Sequence, residues 1–183
     1  DGDGFLDLYV LTSHPEALET HNRDYILWGD GTGNFSRDDT SLPASKSSGN
    51  GFDAQWIDWE SDGHPEIYVA NDRGAEFGPN RLWRPREGTW TDDAPRRTAN
   101  LAHSAMGVDA SDLNRDGLPD LYLTASGANV LLVSQPDGSM VDMTLALNAN
   151  PLELDSAYEE MGWGGIWVDF DNDGGRDILH TPG

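Results

Sequence analysis

The sequence predicts an all-β chain: a β-propeller-type array of four-stranded antiparallel blades, amounting to about three blades plus one strand. Three observations predict it. An acidic loop recurs four times, with the acid before its glycine at Asp3, Asp62, Asp116 and Asp173. Matching apolar runs rich in Val, Ile, Tyr and Trp follow every loop and precede the last three. Helical periodicity is nearly absent. The repeat of roughly 54–59 residues is longer than the 20–45 residues usual for solenoids.

The elements follow in order. After each loop comes a first apolar run: Leu8-Tyr9-Val10, Ile67-Tyr68-Val69, Leu121-Tyr122-Leu123 and Ile178-Leu179. A second follows at Tyr25 to Trp28, Arg81 to Trp83 and Val130 to Leu132, then a glycine turn and a short run at Phe35, Trp90 and Met140. Before the second, third and fourth loops stand Gly51 to Ile57, Ala105 to Ser111 and Gly162 to Val168. Four short strands separated by Gly, Asp and Asn turns make an antiparallel meander. Repetition of such a sheet is a propeller blade. Runs such as Ile67-Tyr68-Val69 do not alternate, as expected for strands buried on both faces. The predicted division is a partial blade at 1–50 (last three strands), blades at 51–104 and 105–161, and a partial blade at 162–183 (first two strands). Leu152 to Glu160 is the best helix candidate, and Asp39 to Asn50 reads as a surface loop.

Composition narrows the function. Lys and Arg total 11 against 33 Asp and Glu, a net charge of -22 over 183 residues. A chain with 7 Trp, 5 Tyr and 5 Phe is no solvating disordered acid tract. No basic stripe is available for nucleic acid. Anionic lipid is excluded on the same ground, and no apolar run reaches the roughly 18 residues of a membrane helix. Cysteine is absent, so there is neither a thiol nucleophile nor a thiolate metal site. The opening residues Asp1 to Gly4 carry no leader pattern.

The loops carry the chemistry. They present oxygen ligands at positions 1, 3, 5 and 9, glycine at position 6 and a backbone carbonyl at position 7. The sets are Asp1, Asp3, Phe5 and Asp7 (its leading acid missing); Asp58, Glu60, Asp62, His64 and Glu66; Asp112, Asn114, Asp116, Leu118 and Asp120; and Asp169, Asp171, Asp173, Gly175 and Asp177. Alternating oxygen donors around a tight turn suit Ca²⁺, which takes about 6–8 oxygens, better than octahedral Mg²⁺. Up to four Ca²⁺ ions are expected, one per loop. Softer metals would need clustered His or Cys. An EF-hand needs a bidentate Glu at position 12 and flanking helices. Position 12 here is Val10, Val69, Leu123 or His180, inside the apolar runs. The loops hold 14 of the 33 acids, so four Ca²⁺ ions would bring the charge to about -14.

Met106-Gly107-Val108 followed by Asp112 to Leu123, and Gly162-Trp163 followed by Asp169 to Ile178, carry a resemblance. The pattern resembles the FG-GAP/VCBS repeat family, as in integrin alpha-subunit propellers and cartilage acidic protein-like secreted proteins. It covers essentially the whole chain. Glu60 and Glu66 depart from the family's usual Asp or Asn, and Gly175-Arg176 from its apolar and small residues. The resemblance implies a Ca²⁺-stabilised propeller at an extracellular, periplasmic or cell-surface location, serving adhesion, ligand binding or structure.

The remaining expectations are weaker in signal. The ligand is a protein or a glycan, and the rest of the propeller comes from a longer chain or from neighbouring subunits meeting at open blade edges. A Ca²⁺-dependent polysaccharide lyase is the enzymatic alternative. Against it, Lys46 is the only lysine, His14, His21, His64, His103 and His180 share no placement, and no catalytic fingerprint appears. Asn34-Phe35-Ser36 is a glycosylation sequon. Arg81, Arg84, Arg86, Arg96 and Arg97 hold five of the 11 basic residues, either as surface pairing or as a contact for an acidic partner.

Overall fold

A computed structural model of the chain describes residues 2–13, 23–43, 49–150 and 161–183. Thirteen strands form four antiparallel sheets among these residues. The first sheet holds β1 (Leu8–Val10), β2 (Tyr25–Gly29) and β3 (Phe35–Asp38). The second holds β4 (Gly51–Ile57), β5 (Glu66–Asn71), β6 (Arg81–Arg86) and β7 (Thr89–Asp92). The third holds β8 (Ala105–Ser111), β9 (Asp120–Ala125), β10 (Val130–Ser134) and β11 (Met140–Asp142), and the fourth β12 (Gly162–Val168) and β13 (Asp177–Pro182). Each strand pairs with its sequence neighbour, so every sheet is a meander. Among the described residues the sheets do not close into a ring. One short helix, α1 (Gly74–Phe77), was not anticipated and starts from Arg73 in the left-handed region. The helix expected at Leu152 to Glu160 lies outside the described residues.

The core lies between sheets. Ile67 and Val69 of β5 pack with Ile26, Trp83 and Trp90, toward the first sheet. Their neighbours Tyr68 and Ala70 pack with Ala105, Val108, Leu121 and Leu123 of the third. In β9, Leu121 and Leu123 face the second sheet, while Tyr122 meets Trp167 and Ile178 of the fourth. Both strands are buried along their whole length. Successive side chains point to opposite faces, so only a strand sandwiched between two sheets needs an unbroken apolar run.

The sheets approach closely where glycine permits. A Cβ on Gly107 would stand 2.8 Å from Thr124 Oγ1 and 3.0 Å from the Trp163 carbonyl oxygen. One on Gly165 would stand 2.9 Å from Thr124 Cγ2. Two aspartates then bridge neighbouring first strands. Asp53 Oδ2 accepts the Val108 amide at 3.0 Å, and Asp109 Oδ2 accepts the Trp167 amide at 2.8 Å.

A buried polar ladder recurs as well. The residue just before or opening the third strand of a blade braces the Tyr of the second. Tyr9 donates to Asp24 at 2.6 Å, and the amides of Asn80 and Asn129 donate to the hydroxyls of Tyr68 and Tyr122 at 3.1 and 3.0 Å. Burial raises the Tyr9 and Asp24 pKa values, and it holds Tyr68 and Tyr122 above the usual phenol range.

Candidate metal centres

The second, third and fourth loops each join the first two strands of their sheet, and the first loop leads into β1. The last three loops share one backbone course. Position 4 is left-handed at Ser61, Arg115 and Asn172, with φ of 53°, 61° and 60°. Position 6 is glycine with φ of 81°, 88° and 85° at Gly63, Gly117 and Gly174. Two left-handed residues in three reverse the chain tightly, and only the second of them is always glycine.

The carboxylates hold this course by accepting loop amides. The position-1 acid accepts the amide of position 6: Gly63 to Asp58 at 3.0 Å, Gly117 to Asp112 at 2.8 Å and Gly174 to Asp169 at 3.0 Å. The position-5 acid accepts the amide of position 7: Phe5 to Asp3, His64 to Asp62, Leu118 to Asp116 and Gly175 to Asp173, at 2.6–2.9 Å. This fixes the peptide at Phe5, His64, Leu118 and Gly175. The position-9 acid accepts the amide of position 2: Trp59 to Glu66, Leu113 to Asp120 and Phe170 to Asp177, at 2.9–3.0 Å. Asp7 and Asp120 accept a further amide from the third strand, Gly29 at 3.0 Å and Ser134 at 2.9 Å.

The matches to known families can now be placed on this geometry. A model of the FG-GAP-like repeat matches residues 1–69, 58–123 and 112–180. The chain belongs to the FG-GAP-like repeat family. Consecutive matches overlap at 58–69 and 112–123, which are the second and third loops with the strand that follows each. No curated protein matches the chain significantly. In FG-GAP-like terms each repeat runs from one acidic loop, around its sheet, to the next loop.

The loops differ in what they bring together. In the fourth, carboxylate oxygens of Asp169, Asp171 and Asp177 lie within 4.8 Å of one another, the one such group of three among the described residues. Asp169 Oδ1 is buried without a hydrogen-bond partner. An orphaned buried oxygen on one of three convergent carboxylates fits a hard divalent cation, which would satisfy the oxygen and cancel the repulsion. Asp173 stands beside this group and holds the Gly175 amide.

In the third loop, Asn114 Nδ2 donates to Asp116 Oδ2 at 2.9 Å and Asn114 Oδ1 accepts the Asp116 amide at 3.0 Å. Asp120 is fully buried, and burial, together with Asp116 and Asp112, raises its pKa against the opposing Ser134 and Leu113 amides. That repulsion is the kind a bound cation removes. Asp1 lies outside the described residues, so the first loop contributes Asp3, Phe5 and Asp7.

The second loop departs. Glu60 turns to Arg97 and, at 3.2 Å, to Arg84, and Arg84 Nε stands 3.5 Å from Glu66. Burial and the neighbouring Glu60 push Glu66 up to about 8. Four of the five clustered arginines are ion-paired: Arg81 with Asp92, Arg84 with Glu60 and Glu66, Arg96 with Asp93, and Arg97 with Asp93 and Glu60. Arg97 is no surface residue, with its side chain only 4% exposed. Among the described residues Arg86 makes no ion pair and is exposed.

A cleft of about 610 Å³ opens between the first and second sheets. Trp28, Trp56 and Trp90 line it with His64, Arg84 and Arg86. Asp38 on its wall is held in the ionised form by the Thr40 and Ser41 amides and the Trp28 indole N–H, which outweigh partial burial. Among the described residues no helix is long and apolar enough to cross a membrane.

Proposed function

We propose that this FG-GAP-like chain is a non-catalytic, Ca²⁺-stabilised propeller module that works outside the cytoplasm in ligand binding, adhesion or structural support. The observation that carries the reading is the fourth loop. Its three carboxylates converge within 4.8 Å, with Asp169 Oδ1 buried and unpartnered. The third loop repeats its backbone course and its amide contacts. Oxygen-only donors around a tight turn suit Ca²⁺ over softer metals. Extracellular modules bind Ca²⁺ with dissociation constants of about 10⁻⁴–10⁻³ M, so millimolar Ca²⁺ outside the cell would hold the loops loaded. An ion bound only by the folded state stabilises it by mass action. The test is thermal unfolding in millimolar Ca²⁺ and in excess chelator. A clear rise in Tm with Ca²⁺ is expected, and superimposable curves would contradict the reading.

A second reading supplies the ligand. The cleft between the first two sheets presents three indoles beside the guanidinium of Arg86, which makes no ion pair among the described residues. Indole faces accept the C–H faces of sugar rings, and a guanidinium takes hydroxyl or carboxylate oxygens. This favours a saccharide as the ligand. Titration of the tryptophan fluorescence with neutral and uronic oligosaccharides should give a saturable change that Trp28→Ala weakens. No change with either class contradicts it.

A further inference from the structure

The second loop has the sequence of a cation site, but Oε1 of Glu60 and Oε1 of Glu66 face arginines, while Glu60 Oε2 is buried without a hydrogen-bond partner. All four of its acids, Asp58, Glu60, Asp62 and Glu66, are described. As in the third loop, the three-carboxylate convergence of the fourth does not form here. The backbone is not the cause, since Ser61 and Gly63 take the same left-handed conformations as Asn172 and Gly174. At positions 3 and 9 glutamate adds a methylene, and Glu60 and Glu66 each reach an arginine, while Glu66 still accepts the Trp59 amide at 3.0 Å.

Arg97 is a fixed cation. Nη2 pairs with Glu60 Oε1, Nε binds Asp93 at 3.1 Å, Nη1 donates to the Gly138 carbonyl at 3.2 Å, and the guanidinium lies 5.0 Å from the Trp59 ring. Its own carbonyl accepts the Met140 amide, so it also ties the second sheet to the third. Arg84 completes the pairing, at 3.2 Å from Glu60 and 3.5 Å from Glu66. The sheet register supplies an independent sign. Trp83 pairs with Ile67 as Leu132 pairs with Leu121 and Leu27 with Leu8. Two residues on stand Ser134 and Gly29, whose amides bind Asp120 and Asp7, but Pro85, which has no N–H, in the second blade. Arg84 serves Glu66 in place of that amide.

We propose that the second loop takes no divalent cation, and that the guanidinium groups of Arg84 and Arg97 supply the positive charge that Ca²⁺ supplies to the third and fourth loops. A divalent ion at Glu60 would sit against two guanidinium groups, one of them nearly buried, and like charges at that distance repel strongly. The inference rests on the Ca²⁺ reading for the other loops.

Ca²⁺ bound per chain is counted by native mass spectrometry for the full chain and for Asp58→Asn, Glu60→Gln, Asp112→Asn and Asp169→Asn. The last two are expected to lose one ion each and the first two none. Loss of an ion in Asp58→Asn or Glu60→Gln overturns the inference. Absence of Ca²⁺ from the unsubstituted chain overturns the functional reading instead, and a second measurement then judges the arginines. In excess chelator, Arg97→Met should lower Tm by several degrees, and adding Glu60→Gln should restore part of the loss. An unchanged Tm, or no restoration, means that Arg97 does not neutralise the loop.

Discussion

The carboxylate of Asp120 accepts the amide hydrogen of Leu113 at 2.9 Å, closing the third loop on itself. Its other oxygen accepts the Ser134 amide at 2.9 Å, so this fully buried acid is engaged on both sides before any cation is considered. Hydrogen bonds to a charged acceptor contribute about 1.5–3 kcal/mol each. Asp120→Ala should therefore cost about 3 kcal/mol in chelator. Asp120→Asn should cost nearly as much, because its NH₂ would meet an N–H donor. Chemical denaturation of both variants in chelator checks this. Wild-type stability in either would show that the acid acts only through metal.

Asn129 offers a test of the buried polar ladder. Its Oδ1 accepts the Ala125 amide at 3.0 Å and its Nδ2 donates to the Tyr122 hydroxyl. Asn129→Ala leaves a buried N–H and a buried hydroxyl unpaired, costing about 1–3 kcal/mol. At about 2–4 °C per kcal/mol for a chain of this size, Tm should fall by several degrees. Asn80→Ala should behave alike in the second blade.

The recurring sheets were legible because two kinds of information were local. Apolar runs between Gly and Asp turns mark strands, and the repeated acids mark where one blade gives way to the next. The ladder was not legible, because Asp24, Asn80 and Asn129 are single polar residues whose partners lie 7–15 residues away in sequence. Nor was the left-handed position 4, since Ser61, Arg115 and Asn172 have no side-chain feature in common. The arginine pairing of the second loop joins residues 37 apart, from Glu60 to Arg97. The sequence signs of it were the pair of glutamates where Asp or Asn is usual and the cluster of five arginines that includes Arg84 and Arg97.

His103 carries a pH dependence away from the loops. Both ring nitrogens are buried without partners, and burial lowers its pKa below 6.5, opposed by Asp142. Its folded pKa is below its unfolded one, so the stability present above pH 6.5 is lost as pH falls toward the folded value. His103→Phe removes both the unpaired nitrogens and this penalty. Its Tm should exceed that of the parent chain, by more at pH 5.5 than at pH 7.5. An equal gain at both values would show that His103 does not titrate differently on unfolding.

Close approach of the third and fourth sheets depends on Gly107, where a Cβ would collide with Thr124 Oγ1 and the Trp163 carbonyl. Gly107→Val should cost about 1–3 kcal/mol through overpacking. It should also speed exchange of the Trp167 amide proton, which Asp109 holds at 2.8 Å across the two sheets. Hydrogen exchange read at that residue checks the coupling.

The central claim is that the acidic loops of this FG-GAP-like chain hold Ca²⁺, and equilibrium dialysis against radiolabelled Ca²⁺ tests it most directly. Saturable uptake with dissociation constants of about 10⁻⁴–10⁻³ M is predicted, reduced by one ion per chain in Asp171→Asn. No saturable uptake at millimolar Ca²⁺, or the same uptake in Asp171→Asn, would contradict it.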